Sequence, residues 1–216
     1  METKLISTTQ PVPALKRQGI KTAEDLIVYC ARVSNPTNQL NIQTAPKLIQ
    51  YLIKHKHWSP FEMVDMCVEI KTSRAIAAQI LRHRSFSFQE FSQRYASATN
   101  LEPIQWRMQG KTNRQVGDEL TDLADDAVQA IKDLNETALE VYGLLVEQGI
   151  AKECARMILP LTTQTTLYMK GSIRSWIHYI LIRAAEETQK EHRDIALSIK
   201  GILKENFPDV CKALNW

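Results

Sequence analysis

Proline and glycine are scarce in this sequence, at eight and seven of 216 residues. So few chain breakers exclude a linker-rich or disordered chain. No apolar run approaches the roughly 18 residues that a membrane span needs. The start, Met1-Glu2-Thr3-Lys4-Leu5, lacks a basic segment followed by an apolar one, so no secretory signal is expected. Cys30, Cys67, Cys154 and Cys211 are scattered, with no CxxC and no paired spacing. Reduced, mostly buried thiols and a cytoplasmic location are expected. The net charge of +3 is too mild to make nucleic acid the default partner.

What is present is an ordinary globular balance, with 44% hydrophobic and 24% charged residues, and the length predicts one domain over 1–216. Charge is unevenly distributed. Lys71 to Arg114 holds eight basic residues against two acidic ones, whereas Lys111 to Ile150 holds three basic and nine acidic. A site for a small polyanion requires that kind of local concentration.

Periodicity predicts the elements. A short helix runs over Thr22 to Arg32, and a second starts at Thr44-Ala45-Pro46, with Thr44 as cap and Leu48, Ile49, Leu52 and Ile53 as its apolar stripe. Phe61 to Lys71 alternates as a half-buried strand, and Thr72-Ser73 caps a helix that carries the chain to Arg82. Ser85 to Asn100 has no clean period and reads as mostly irregular. Asp118 to Gln148 is the clearest helix, its acidic residues on a solvated face. A helix over Ile150 to Leu159 ends at Pro160, Leu161 to Met169 resembles a strand, and Ser172 to Asn206 is helical with a break near Thr188. The class is α+β, with helices dominant.

The densest chemistry lies between Arg82 and Tyr95, where three arginines and a histidine are interleaved with hydroxyls and aromatics. Arginine presents a rigid fork of donors suited to phosphate oxygens. A solvated basic turn is the bland alternative. Phe86, Phe88, Phe91 and Tyr95 make the segment too apolar for that, and Glu90 can hold guanidinium groups or accept from a ligand. His55-x-His57 lacks further partners at a zinc-site spacing, so a helix-end or loop role is expected and no metal site. Trp106 and Trp176 read as core or interface aromatics.

Arg82-His83-Arg84, seven residues, then Ser92 resembles the signature of the flavin-dependent thymidylate synthases, the ThyX family. Gln79 before it and Glu90-Phe91-Ser92-Gln93-Arg94-Tyr95 within it continue the likeness. Cys30-Ala31-Arg32-Val33-Ser34, His57-Trp58-Ser59-Pro60-Phe61-Glu62 and Ala155-Arg156-Met157-Ile158-Leu159-Pro160-Leu161 are similar to three further family elements. Arg174, Arg183 and Gln189-x-Glu191 fall in the register of its C-terminal helices. The family often has asparagine where Ser172 and His178 stand, and a histidine near Glu187.

The resemblance implies an α/β complex fold with a small central, largely antiparallel sheet, assembled as a homotetramer with FAD at shared active sites. It implies reductive methylation of dUMP to dTMP, with 5,10-methylenetetrahydrofolate as carbon donor and NADPH as reductant through FAD. Flavin contacts are implied for Ser34, Ser59, Arg82, His83, Arg84, Glu90, Ser172, Ile173, Arg174 and His178. dUMP contacts are implied for Gln79, Arg82, Glu90, Phe91, Ser92, Gln93, Arg94, Arg156 and Arg183. Arg183 matches the arginine that activates the uracil ring, where a guanidinium would stabilise negative charge and make C5 more nucleophilic. Ser92 is read as a binding hydroxyl, because a nucleophile needs a positioned base. No cysteine sits in a nucleophile context, which discounts the cysteine-dependent route.

Two readings compete. The Arg/Phe-rich segment could serve a nucleic-acid- or nucleotide-binding protein without catalysis, predicting no chromophore and steep salt dependence. A catalytically silent relative would keep the pocket alone, against the retention of Arg82, Ser92, Arg94, Arg156 and Arg183.

Overall fold

A computed structural model describes residues 1–216, the side chain of Asp118 excepted. Its centre is an antiparallel sheet of β1 (Glu2–Thr8), β2 (Asp65–Ser73), β3 (Ser87–Glu90) and β6 (Gln164–Ser172), ordered β1-β2-β6-β3. β2 and β6 pair along their whole lengths, from Asp65 opposite Ser172 to Ser73 opposite Gln164. A separate hairpin joins β4 (Arg107–Gln109) and β5 (Gly117–Leu120). Among the described residues no helix is long and apolar enough to cross a membrane.

The strand that alternation predicts buries Met66, Val68 and Ile70 completely. It runs over Asp65–Ser73 rather than Phe61 to Lys71, because Pro60 sets a 3-10 turn at Ser59–Glu62. Helices leave both central strands without a loop. Ser73 caps α4 (Arg74–Ile80) by accepting from the Ile76 amide, and Ser172 caps α7 (Ile173–Arg183) by accepting from the Ser175 amide. Since β2 and β6 are antiparallel, the two helices start at opposite ends of the strand pair. Trp176 of α7 is fully buried and donates from Nε1 to the Met66 carbonyl at 3.0 Å.

Beneath these lie α2 (Ala23–Ala31), α3 (Ala45–Lys54), α8 (Lys190–Asn206) and α9 (Pro208–Ala213), which add Ile27, Ile49, Ile195, Ile199, Leu203 and Val210 to one core cluster. Thr22 and Asp25 form a capping box on α2. Thr44 stands at the start of α3 but caps nothing; its hydroxyl instead accepts from Arg32 at 2.7 Å. The break near Thr188 falls between α7 and α8, where the Thr188 hydroxyl donates to the Ile182 carbonyl.

Other expectations shift. The long helix is α5 (Asp125–Glu147); residues 117–120 belong to the β4–β5 hairpin, although Leu120 and Leu123 continue the helical period. The helix starts where Asp125 and Asp126 face its positive N-terminus. Its apolar stripe is largely uncovered in this chain: Tyr142 is buried, while Leu134, Val141 and Leu144 are exposed. The helix expected up to Leu159 is α6 (Lys152–Ala155) followed by a 3-10 turn, Arg156–Ile158, and Leu159 is extended before Pro160. Strands β1 and β3 and helices α1 (Pro13–Arg17) and α9 carry no periodic signal strong enough to have been expected. All four cysteines are free, but the expectation of mostly buried thiols is not met: Cys211 is buried, Cys30 and Cys67 are half-buried, and Cys154 is exposed. Trp176 is a core aromatic, whereas Trp106 is 38% exposed on the hairpin.

Candidate active site

The Arg82–Tyr95 segment starts at the end of α4, turns through Arg84, and joins the sheet edge as β3, where Glu90 faces Leu167. The anchor of the turn is Phe86, packed against Trp176 and Tyr179 at 4.7 and 6.0 Å between ring centroids. Phe86 reaches that position because residue 171 is glycine: a Cβ there would lie 2.5 Å from its ring. Apolar residues thus pin a turn that leaves Arg82 and Arg84 exposed.

Glu90 does hold a guanidinium, but one outside the signature. Its Oε1 accepts from Arg74 Nη1 at 3.0 Å and from the Thr165 hydroxyl at 2.9 Å, and Arg74 Nη2 donates to the Phe91 carbonyl. Arg74 also lines a cavity of about 210 Å³ with Gln93, Arg156 and Thr163. Among the described residues, three buried nitrogens there, Arg74 Nε, Gln93 Nε2 and Arg156 Nε, have no hydrogen-bond partner. Buried donors without partners are costly, so an acceptor-rich ligand suits this cavity. Ser92 and Arg94 are exposed nearby in sequence, and the Ser92 carbonyl accepts from the amides of Tyr95 and Ala96 in a tight turn.

A second cavity, of about 410 Å³, is lined by Trp58, Glu62, Ser85, Arg174, Ser175, Ile177, His178 and Leu181. Arg174 is ion-paired with Glu62 across it. Ser172 and Ile173 stand at the start of the same helix; the Ile173 side chain is in the core, leaving its backbone for any contact. Ser59 is exposed in the 3-10 turn beside this cavity's Trp58 and Glu62. Ser34 lies apart, in a cavity of about 420 Å³ with Arg32, Asn38 and Lys47.

Behind these cavities the structure joins residues distant in sequence. Arg183 donates from Nε to His83 Nε2 at 2.9 Å, which fixes that ring nitrogen as an acceptor. Burial, then the charge of Arg183, lowers the His83 pKa to about 4, so the ring is neutral at neutral pH. Gln79 is hydrogen-bonded to His192 and to Gln189. Gln189 reaches Glu191, which is ion-paired with Arg107 of the hairpin. Sequence reasoning did not single out Arg74, Thr165, Tyr179 or His192 as site residues. Arg74 had a signal, standing in the basic segment one residue after a capping serine; His192 had only its place beside Gln189-x-Glu191. His55 and His57 lie at the C-terminal end of α3 and in the turn after it, His55 tilted against the Tyr51 ring and His57 edge-on to it.

An α+β scaffold that lines one cavity with unpaired arginine and amide nitrogens, and another with Arg174 and His178, defines a protein built for polar, anionic small molecules. Residues 17–209 match the family described as thymidylate synthase complementing protein. The chain belongs to that family. It is 52% identical to a probable flavin-dependent thymidylate synthase of Paramecium bursaria Chlorella virus 1 and 51% identical to the flavin-dependent thymidylate synthase of Synechocystis, each over 100% of both chains. The Thermus thermophilus enzyme of that name is 34% identical over 91% of this chain and 75% of its own. In fold, the chain is similar to a UMP/dUMP methylase, PolB from Streptomyces cacaoi, solved with 5-Br dUMP, with a TM-score of 0.80 at 24% identity over 99% of this chain and 94% of that one. Full-length likeness to flavin-dependent enzymes leaves the nucleic-acid-binding alternative without support.

Proposed function

We propose that the chain is a flavin-dependent thymidylate synthase, a cytoplasmic enzyme that methylates dUMP to dTMP with methylenetetrahydrofolate as carbon donor and NADPH as reductant. Residues 1–216 are taken as one catalytic domain. The observation that carries this reading is the set of unpaired donors in the Arg74–Gln93–Arg156 cavity, which suits the phosphate or carbonyl oxygens of a pyrimidine nucleotide. Signature residues flank it. Gln93 is the buried member, Ser92 and Arg94 are its exposed neighbours, and Glu90 holds Arg74 in place.

FAD, when bound, supplies the redox chemistry that delivers reducing equivalents to the one-carbon unit. The donor set fits it: Arg174, His178 and Ser175 line one cavity, with Arg82, His83 and Arg84 on the turn that Phe86 anchors and Ser59 beside Trp58. Glu90, Ser172, Ile173 and Ser34 complete the expected contacts. At about 410 Å³ the cavity is at the lower end of the roughly 300–1,000 Å³ of small-molecule sites. One chain therefore offers room for part of a dinucleotide, and a second copy in a homotetramer is expected to complete it.

Arg183 is the residue given the activating role. Its Nε is held by neutral His83, which leaves both Nη groups to donate toward a uracil carbonyl and stabilise charge developing on the ring. His83 could not do this as an imidazolium, because Nε2 would then be a donor facing Arg183.

The test is a visible spectrum of the purified protein, before and after anaerobic addition of NADPH with dUMP. Flavin bands that bleach, followed by dTMP on addition of methylenetetrahydrofolate, are expected. A protein that stays colourless after FAD is supplied overturns the reading.

A further inference from the structure

His192 is fully buried on α8 and is not among the lining residues of the cavities described above, yet both of its ring nitrogens are engaged. Nε2 lies 3.1 Å from the Tyr179 hydroxyl and Nδ1 lies 3.3 Å from Gln79 Oε1. The same chain of contacts continues outward. Gln79 Nε2 donates to Gln189 Oε1 at 2.6 Å, Gln189 Nε2 donates to Glu191 Oε2 at 3.0 Å, and Arg107 Nη2 donates to both Glu191 oxygens at 2.6 and 2.8 Å.

The direction of this chain is determined at its outer end. An ionised carboxylate can only accept. Burial works against ionisation of Glu191, but the hydrogen bonds from Arg107 and Gln189 outweigh it and hold the carboxyl below its ordinary pKa. Gln189 must therefore turn its amide nitrogen to Glu191 and its carbonyl to Gln79. Gln79 must then turn its nitrogen to Gln189 and its carbonyl to His192. A carbonyl facing Nδ1 requires the proton on Nδ1, and Nε2 accepts from the Tyr179 hydroxyl. Reversing Gln189 would put its carbonyl oxygen against the carboxylate, and reversing Gln79 would set two carbonyl oxygens against each other. Each step leaves one geometry, and Gln79 retains one amide hydrogen and one carbonyl lone pair for a ligand.

We propose that His192 is a positioning residue for pyrimidine recognition: with Tyr179 behind it and the Gln189–Glu191–Arg107 chain opposite, it locks the Gln79 amide in the one orientation that serves dUMP. This rests on the reading of Gln79 as a dUMP contact. His192 itself touches no substrate, and acts through Gln79. The hairpin that carries Arg107 is thereby coupled to the nucleotide site.

The test uses FAD-loaded protein titrated with dUMP by calorimetry. Asparagine places an amide nitrogen where Nδ1 stands, so His192→Asn retains the donor to Gln79. Glutamine reaches only the Nε2 position, so His192→Gln keeps Tyr179 company and abandons Gln79. His192→Asn is expected to bind dUMP within about twofold of wild type, and His192→Gln about tenfold more weakly, with equal flavin content. In a Gln79→Ala background, His192→Gln is expected to add no further loss, since its action passes through the missing amide. Equal weakening by both substitutions, or losses that add in that background, overturns the proposal and leaves His192 a packing residue. Nitrogen-15 spectra of the wild-type protein read the tautomer independently, whether or not the variants fold. A proton on Nδ1 is expected, and one on Nε2 overturns the proposal. Wild-type protein that binds FAD but not dUMP would overturn the functional reading itself, and with it the role given to Gln79 and His192.

Discussion

Glu24 is 7% exposed, and its Oε1 accepts from the Val210 amide at 2.8 Å where α9 begins. Burial, opposed by that hydrogen bond and reinforced by the charges of Asp209 and Asp25, raises its pKa from 4.5 to about 7. The folded state therefore retains a proton that the unfolded state releases between pH 4.5 and 7. Stability from this group is full below pH 4.5 and falls as pH rises through 7. Glu24→Gln, a neutral mimic of the acid, is expected to gain about 2 kcal/mol on wild type between pH 5 and 8. Denaturant unfolding at both pH values checks this; a constant difference would refute it. Buried His192 acts in the opposite sense. His192 has its pKa lowered to about 3, chiefly by burial, so the unfolded state takes up protons below pH 6.5 that the native ring refuses, and stability falls as pH drops through that range. The comparison of Glu24→Gln with wild type cancels this second slope, which is why the variant and not the raw profile is informative. At the candidate site, Arg183→Ala is expected to keep the fold, since Arg183 is half-buried at the end of its helix, and, on the role proposed for it, to reduce dTMP formation about 100-fold or more. Normal turnover by a folded variant would remove the role assigned to it.

Among the elements, the strand-to-helix joints at Ser73 and Ser172 show what local sequence can specify. Ser73 was legible because alternation from Val64 to Ile70 stops at a capping serine, and the helix after it carries Gln79 toward the site. β3 was not legible, because Ser87–Glu90 becomes a strand only through pairing with Lys170 to Leu167, some eighty residues away. The same non-local cause hid the hairpin: Arg107 opposite Leu120 defines β5, while Leu120 alone fits the helical period of α5. Signature residues were readable as a motif, yet the partner of Glu90 is Arg74 and that of Arg183 is His83, contacts that only the fold creates. The β6 residue Gly171 ties these levels together. A Cβ there meets Phe86 at 2.5 Å, so Gly171→Ala must displace the ring that anchors the Arg82–Arg84 turn. A cost of about 1–3 kcal/mol is expected from overpacking, accompanied by weaker flavin retention. A variant that melts lower but retains wild-type flavin content would separate Phe86 from the site.

At the scale of the whole molecule, α5 presents an apolar stripe that a single chain leaves uncovered. This helix spans 23 residues and buries only Tyr142 in a single chain, leaving Leu134 68%, Leu144 55% and Val141 39% exposed. A stripe at positions 134, 141 and 144–145 of an otherwise acidic helix is larger than scattered surface apolar residues explain. Leu181 and Ile182, on the helix that carries Arg174 and His178, are also exposed, at 55% and 41%. The apolar surface beside the Arg174–His178 cavity, and the room there for only part of the proposed FAD, would both be explained by a second copy of the same chain. Mixed interfaces of that kind would make assembly and flavin binding a single equilibrium, because ligand held by two chains stabilises the oligomer by mass action. Wild-type protein is therefore expected to elute with the mass of four 24.7 kDa chains. The double substitution Leu134→Glu with Leu144→Glu places two charges in the α5 stripe, where they cost nothing in the isolated chain because both positions are exposed. It is expected to lower the assembled mass while circular dichroism stays unchanged, and flavin content should fall in step with mass as the protein is diluted. Light scattering coupled to absorbance at a flavin band reads both quantities in one run. If the variant becomes smaller yet retains its flavin, the α5 interface does not complete the cofactor site; if wild type is already a monomer that holds FAD, the site is complete within one chain.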